Sequence, residues 1–276
     1  MTSVKDFINR ARILDKRLEA ELILAAVLKV SKEQIFAYPE RDLEPNEIEK
    51  VTDFWKRVED GEPMAYILGK KEFHGIELKT DKRALIPRPE TEFLVEKTMD
   101  LIEGIKNPRI LDVGTGCGAI ALALAKAVPN ANVFGSDVSE EAIQLSRENA
   151  TGLDLVSQVE FWVSDLLKSV PEDLKIDVLV ANLPYIGEEK FHFVEKNVKK
   201  YEPHVALFGG HDGLRLYEQL FEQINSSILG IKWVLGEFGS MQTEILEQML
   251  DHYFSDKKWE ILPDLAGLDR YFIIYL

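Results

Sequence analysis

From Arg109 onward, short apolar runs alternate with longer stretches whose apolar residues recur every three or four positions, and no other feature restricts the fold as much. Strands are expected at 109–114, 132–137, 158–163, 176–181, 231–237, 258–262 and 270–275. Helices are expected between them, at 118–128 (ended by Pro129), 139–150, around 190–200, 213–228 and 240–254. Leu214, Tyr217, Phe221 and Ile224 show the helical spacing most clearly. Strands alternating with helices predict a mainly parallel sheet covered on both faces. A length of 276 residues allows one large domain or two unequal ones.

The first 65 residues read differently, as an all-helical bundle of three to five helices. Leu18, Leu22, Ala25, Ala26 and Lys29 mark one helix face. Ser31 and Gln34 fit a capping box, Pro39 closes the short helix that follows, and Pro45 opens another carrying Ile48, Val51, Phe54, Trp55 and Val58. Gly61 suits the end of that helix. The alternating region is complete without this bundle, so a partner-docking role is expected for residues 1–65. Residues 66–88 read as a hairpin connector, with Phe73–Lys79 and Ala84–Ile86 flanking Asp81-Lys82-Arg83. Pro87 and Pro89 bracket Arg88, and a helix starts at Pro89 or Glu90 with Leu94, Thr98, Leu101 and Ile102 on its buried face.

Composition narrows the partner. Asp and Glu outnumber Lys and Arg by 48 to 33, a formal charge of −15, and such a field repels phosphate backbones. A protein or small molecule is the expected partner, without direct nucleic-acid binding. One cysteine, Cys117, excludes a disulfide within the chain or a multi-cysteine metal site. His192, His204, His211 and His252 show no metal-ligand spacing, so no metal is expected. With no secretory signal and no apolar run near the roughly 20 residues that span a bilayer, a cytoplasmic monomer away from membranes is expected.

The first strand, Ile110–Val113, runs into Gly114-Thr115-Gly116-Cys117-Gly118 and an alanine-rich helix. Glycines permit positive φ and close backbone approach to a ligand, and the helix start offers free N–H groups. Asp137 ends the second strand, where a carboxylate can accept both hydrogens of a ribose diol. The spacing is G-x-G-x-G rather than the dinucleotide G-x-G-x-x-G. With Asp112 two residues ahead of the first glycine, the loop resembles motif I of class I S-adenosylmethionine methyltransferases. Asp112 would complement the donor's ammonium, directly or through water. Asp165 and Leu166 form the third strand's corner, where the matching acid of such enzymes faces the adenine amino group. Cys117 reads as a small loop residue.

The fourth strand ends in Asn182-Leu183-Pro184-Tyr185. Ligands of open α/β sheets lie beyond the carboxyl ends of the strands, so Asn182 is expected to face the cofactor. An amide nitrogen is a poor nucleophile because its lone pair is delocalised into the carbonyl. Two acceptors on its hydrogens, the Asn182 side-chain oxygen and a backbone carbonyl just after it, would aim that lone pair. Pro184 stiffens the turn and Tyr185 offers a face for a planar group. The tetrapeptide resembles motif IV of amino-methyltransferases, [N/D/S]-P-P-[Y/F/W]. Leu183 departs from the usual proline, and Asn-Leu-Pro-Tyr also occurs in ribosomal-RNA adenine dimethyltransferases, so these residues alone leave the substrate open.

Several further segments speak to the substrate: Gly61–Gly69, Glu72-Phe73-His74-Gly75, Leu85–Glu92, Tyr201–Gly210, Asp212-Gly213-Leu214 and Leu265–Arg270. Together they resemble the release-factor glutamine methyltransferases, the HemK/PrmC family, over essentially everything from residue 61 onward. His74 stands where that family usually has another aromatic. The resemblance implies a class I methyltransferase fold, Rossmann-like with a mainly parallel seven-stranded sheet, behind a small N-terminal helical bundle. The implied divisions are 1–65 for substrate docking, 66–88 for the connector and 89–276 for the S-adenosylmethionine-dependent domain. It implies N5-methylation of the glutamine in the Gly-Gly-Gln loop of bacterial class 1 factors, peptide chain release factors 1 and 2. Asn182, Leu183, Pro184 and Tyr185 map onto the amide-binding residues. Gly114 to Gly118, Asp137, Asp165-Leu166 and Asn182 map onto the cofactor site, with Leu85 and Pro87-Arg88-Pro89 over the methyl end. Pro-Arg-Pro separates this reading from the ribosomal protein L3 glutamine methyltransferase, which typically has Pro-Arg-Ser. The competing readings are an adenine-N6 methyltransferase on RNA or DNA and a non-enzymatic scaffold. Glu188-Glu189-Lys190 reads as a solvated loop, Tyr201-Glu202-Pro203 as a wall of the acceptor cleft or a structural turn, and the four tryptophans as core.

Overall fold

The computed structural model describes residues 3–188, 192 and 194–276, and divides into two compact units, Met1–Gly69 and Lys70–Leu276. The first unit carries α1 (Val4–Ile13), α2 (Arg17–Leu28), α3 (Lys32–Ala37), α4 (Pro45–Glu59) and α5 (Met64–Leu68). Ser31 and Gln34 form the capping box of α3, and Pro45 opens α4. Gly61, at φ +81, receives the chain just past the end of α4. Val51, Trp55 and Val58 are buried against Phe7, Ala20, Ile23 and Leu24. The buried face of α2 differs from the expected one: Leu18 is 56% exposed while Ala20, Glu21, Ile23 and Leu24 are covered. Its sequence is apolar nearly all round, so periodicity cannot pick the inward stripe and packing against α1 and α4 does.

The second unit opens with the hairpin β1 (Lys70–Phe73) and β2 (Ile76–Lys79). Its turn is His74-Gly75, at φ +45 and +75, not the expected Asp81-Lys82-Arg83. Positive φ at both central residues matches the twist of paired strands. Asp81 and Arg83 instead fold back on each other, with the Arg83 guanidinium also donating to both oxygens of Glu148 (2.8 Å each). Asn149 clasps β2 by exchanging hydrogen bonds with the Lys79 backbone and donates to the Cys117 carbonyl.

The large sheet comprises β3 (Arg109–Val113), β4 (Asn132–Asp137), β5 (Val159–Val163), β6 (Val178–Ala181), β7 (Trp233–Glu237), β8 (Lys258–Pro263) and β9 (Asp269–Tyr275). Its order is β5-β4-β3-β6-β7-β9-β8, parallel except for β9, which runs antiparallel to both neighbours. Each strand lies within two residues of its expected position. A 3-10 turn (Pro89–Thr91) leads into α6 (Glu92–Leu101). Then come α7 (Ala119–Ala127), α8 (Glu140–Gly152), α9 (Lys196–Tyr201), α10 (Arg215–Ser226) and α11 (Thr243–Tyr253). The expected helix around 190–200 begins partly outside the described residues, as do Glu189 and Lys190. Apolar side chains cover both sheet faces in two clusters, around Leu122, Val133 and Val180 on one side and Leu179, Phe221 and Phe272 on the other. Trp55 is core, whereas Trp162, Trp233 and Trp259 only border it. Among the described residues no helix is long and apolar enough to cross a membrane.

Strand order fixes where a ligand can sit. The chain leaves β3 to build outward through β4 and β5, then returns to the opposite side of β3 for β6. The loops after β3 and β6 therefore diverge, opening a crevice at their carboxyl ends.

Candidate active site

The register of the sheet assembles this crevice. Val113 pairs with Ala181 and Ala181 with Gly236, so Gly114, Asn182 and Glu237 follow on adjacent strands. Val113 also pairs with Ser136, which brings Asp137 to the same edge. A cavity of about 550 Å³ lies there, within the size range of small-molecule sites. Its walls include Gly114, Thr115, Gly116, Cys117, Asp137, Asp165, Leu166, Asn182, Leu183 and Pro184, together with Leu85, Pro87 and Arg88.

Gly114, Gly116 and Gly118 have φ of +75, +57 and +85. A Cβ at Gly114 would lie 2.9 Å from Leu183 Cδ2, so its flat backbone is what lets the two loops meet. Asp137 holds the loop open at a second point. Its carboxylate accepts from Gly116 N–H (2.9 Å) and Ser139 N–H (2.9 Å), with lone pairs left over on both oxygens. Asp165 is exposed at the rim and paired with Lys168, and Leu166 beside it has φ +55. A curved glycine backbone, an acid at the second strand end and an apolar corner at the third fit an adenosine-bearing donor.

Four of the expected site residues, Pro89, Gly118, Tyr185 and Asp112, are not in the cavity wall. Gly118 starts α7, where a Cβ would press on Leu122 and Ser146. Tyr185 turns its hydroxyl to Glu237 Oε1 (3.0 Å). Asp112 lies beneath the loop, 1% exposed, accepting from Thr115 Oγ1 (2.6 Å) and Ala121 N–H (3.2 Å) through Oδ2. Its Oδ1 has no hydrogen-bond partner. Burial pushes the Asp112 carboxyl up to about 7 against two hydrogen bonds that favour ionisation. The Cys117 thiol is pushed up to about 12, also by burial, so it stays protonated despite the nearby helix start.

The Asp112 shift makes a stability prediction. The folded protein holds this proton more tightly than the unfolded chain, whose carboxyl titrates near 3.8. The resulting stabilisation is complete below about 4 and is lost as pH rises through about 7. Asp112→Asn keeps an acceptor for Thr115 and Ala121 and never has to ionise. Urea midpoints of the unliganded protein are expected to drop less from pH 5 to pH 8 in this variant than in the wild type. Equal drops would mean that Asp112 titrates normally.

The acceptor segment is gripped by backbone. Ile186 bridges to Phe208, and Ile186 N–H donates to the Leu207 carbonyl. A Cβ at Gly209 would lie 2.3 Å from the Pro184 carbonyl oxygen, and one at Gly213 2.2 Å from that of Tyr185. Those glycines explain why the Phe208-Gly209-Gly210 and Asp212-Gly213 stretches accompany Asn-Leu-Pro-Tyr. Gln242 donates to the carbonyls of Tyr185 (2.9 Å) and Asp212 (2.7 Å). The buried Tyr217 hydroxyl receives Leu183 N–H (3.4 Å) and lies within hydrogen-bonding distance of the Glu237 carbonyl (2.6 Å), tying the ends of β6 and β7.

Three participants, Thr91, Glu237 and Gln242, escaped the sequence reading. The Asn182 amide nitrogen donates to Thr91 Oγ1 (2.8 Å) and Glu237 Oε2 (3.1 Å). Thr91 in turn donates to the same Glu237 oxygen (2.7 Å). Glu202, buried, accepts from Arg88 (2.6 Å) and from Ile86 N–H (3.1 Å), which fastens the Pro87-Arg88-Pro89 strap to the segment carrying Pro203. An acid at the carboxyl end of an apolar parallel strand, as in Leu235-Gly236-Glu237, was the available signal. Among the described residues no group of His, Cys, Asp and Glu side chains could hold a metal ion.

Residues 1–69 match the family described as PrmC N-terminal domain, and residues 105–232 match a methyltransferase domain. The release factor glutamine methyltransferase of Koribacter versatilis is 38% identical over 254 residues, covering 92% of this chain and 89% of its own. That of Lactococcus lactis is 36% identical over 260 residues, covering 93% of each chain. Among solved structures, the human Mettl16 catalytic domain in complex with an RNA hairpin superposes with a TM-score of 0.58. It covers 86% of this chain and 84% of its own, but at 13% identity that likeness speaks for the class I methyltransferase fold alone.

Proposed function

The chain belongs to the release factor glutamine methyltransferase family, and from that premise we propose that it transfers a methyl group to the N5 side-chain amide nitrogen of the glutamine in the Gly-Gly-Gln loop of bacterial class 1 release factors. The observation that carries this reading is the meeting of Gly114 and Asn182 at the sheet's switch point, on one cavity. Gly114 to Cys117, Asp137 and the Asp165-Leu166 corner would hold S-adenosylmethionine, which would supply a sulfonium-bound methyl carbon. The chain's own part is orientation. Asn182 Oδ1 accepts one hydrogen of the glutamine amide and a carbonyl of the following backbone accepts the other, which directs the nitrogen lone pair along the cavity. Pro184 and the glycines packed against it keep that carbonyl from drifting. Tyr185 supports the site from outside the cavity wall, through its hydrogen bond to Glu237, rather than offering an open stacking face. No strong base is needed, because the methylated amide nitrogen is cationic and loses its proton to water.

The Leu85–Arg88 strap covers the methyl end of the cavity, braced by Glu202. Residues 1–65 dock the release factor, an assignment that follows from the completeness of the enzyme core without them. The substrates are release factors 1 and 2, met by a monomer in the cytoplasm. The adenine reading draws support from Leu183 alone, and the −15 charge opposes a nucleic-acid substrate. A tritiated-methyl transfer assay offering purified release factor, ribosomal RNA and ribosomal protein L3 side by side tests the proposal. Label is expected in the release factor and should vanish when its loop glutamine is replaced; label confined to RNA or to L3 would replace this function with another.

A further inference from the structure

We propose that Glu237 is a positioning residue for methyl transfer: its buried carboxylate, acting with Thr91, fixes which end of the Asn182 carboxamide faces the cavity and polarises that amide. This rests on the acceptor role given to Asn182 above. A primary amide can sit either way round, and only the orientation with oxygen toward the substrate can accept a hydrogen from the glutamine. Both directions open to the Asn182 nitrogen are filled, by Thr91 Oγ1 at 2.8 Å and Glu237 Oε2 at 3.1 Å. The Thr91 hydroxyl has spent its one hydrogen on Glu237 (2.7 Å). Flipping Asn182 would therefore set its carbonyl oxygen against a carboxylate oxygen and a hydroxyl oxygen with no hydrogen to give. The flip loses two hydrogen bonds and gains two repulsions.

The carboxylate does more than select. Thr91, Asn182 and Tyr185 all donate to it, so its ionised form accepts from all three at once. A hydrogen bond from an amide N–H to an anion draws the amide toward its charge-separated form and makes its oxygen a stronger acceptor, the more so at 1% exposure. Burial raises the Glu237 pKa, whereas the Thr91 and Tyr185 hydroxyls and the charge of Arg270 pull it back. Within the network Asn182 borders the glycine loop and Glu237 stands behind it, bonded to its amide nitrogen, so the effect of Glu237 is expected in the chemical step.

The test is a double-mutant cycle read by single-turnover methylation of purified release factor. Glu237→Gln keeps the shape and one acceptor oxygen but removes the charge. It is expected to slow transfer about tenfold, with donor Kd and release-factor KM within twofold of wild type. In an Asn182→Ala background the same substitution is expected to cost almost nothing further, because Glu237 acts through Asn182. Additive losses, an unchanged rate, or a loss expressed in Kd or KM would overturn the proposal. If Glu237→Gln does not fold, Thr91 decides. Thr91→Val is then expected to lower the rate and Thr91→Ser to restore it, and a wild-type rate in Thr91→Val would overturn the idea. Wild-type protein that leaves the release factor unlabelled would remove the functional reading instead, a separate outcome.

Discussion

Asn182→Ala is expected to bind S-adenosylmethionine within a few-fold of wild type while kcat on release factor falls by a hundredfold or more. The asymmetry follows from placement. The proposed donor cradle is the loop after β3 with the end of β4, where Gly114 N–H donates to the Ser136 carbonyl and Gly116 N–H to Asp137. Asn182 borders that cradle at its edge, and its proposed part is to supply the acceptor for the glutamine amide. Losing one preorganised hydrogen-bonding group that acts in the transition state typically costs about 10²–10³ in kcat. Alanine would also leave Thr91 and Glu237 without their amide partner, and water entering the gap would satisfy them without aiming anything at the substrate. Asn182→Asp is expected to fare no better, because a carboxylate there would face Glu237 directly. Isothermal titration with S-adenosylhomocysteine and single-turnover transfer separate the two quantities. A variant that lost donor affinity and rate in equal measure would make Asn182 a donor-binding residue and leave the glutamine to be oriented by another group.

The central strands β3, β6 and β7 were legible because each is a short apolar run between turn residues, and a parallel strand buried on both faces admits little else. The glycine loop and Asn-Leu-Pro-Tyr were legible because they interrupt that pattern at fixed points. Their meeting in one cavity depends on the sheet register, Val113 opposite Ala181, which spacing in sequence does not contain. Glu237 shows what is lost. It stands 55 residues from Asn182 and 146 from Thr91, and as letters it is one acid among many. Asp112 illustrates the converse, since its place in the motif suggested donor contact, yet its carboxylate is turned into the loop's own scaffolding. The α2 face and the hairpin turn were misread for one shared reason. Where several residues satisfy a local pattern equally well, long-range packing chooses among them.

Asp137→Ala is expected to act on the other half of the site, raising the donor Kd by about a hundredfold while kcat at saturating donor changes far less. The carboxylate has two duties. It accepts from Gly116 and Ser139 N–H groups, which sets the curvature of the loop against the start of α8, and its remaining lone pairs suit the two hydroxyls of a ribose. Hydrogen bonds to a charged group contribute roughly 1.5–3 kcal/mol each, so losing even one or two of those to the ligand predicts a change of about two orders of magnitude. Asparagine is a poor substitute despite its shape. Both carboxylate oxygens already receive backbone N–H donors, so one of them replaced by NH₂ would face a donor with a donor. Asp137→Asn is therefore expected to bind as weakly as Asp137→Ala, unlike Glu237→Gln, whose one remaining oxygen can serve Thr91 and Asn182 together. Equilibrium binding of S-adenosylhomocysteine to both variants, alongside Asn182→Ala as the reference with intact donor affinity, measures this. Wild-type affinity in Asp137→Ala would move the ribose away from β4 and, with it, the direction from which the methyl group approaches Asn182.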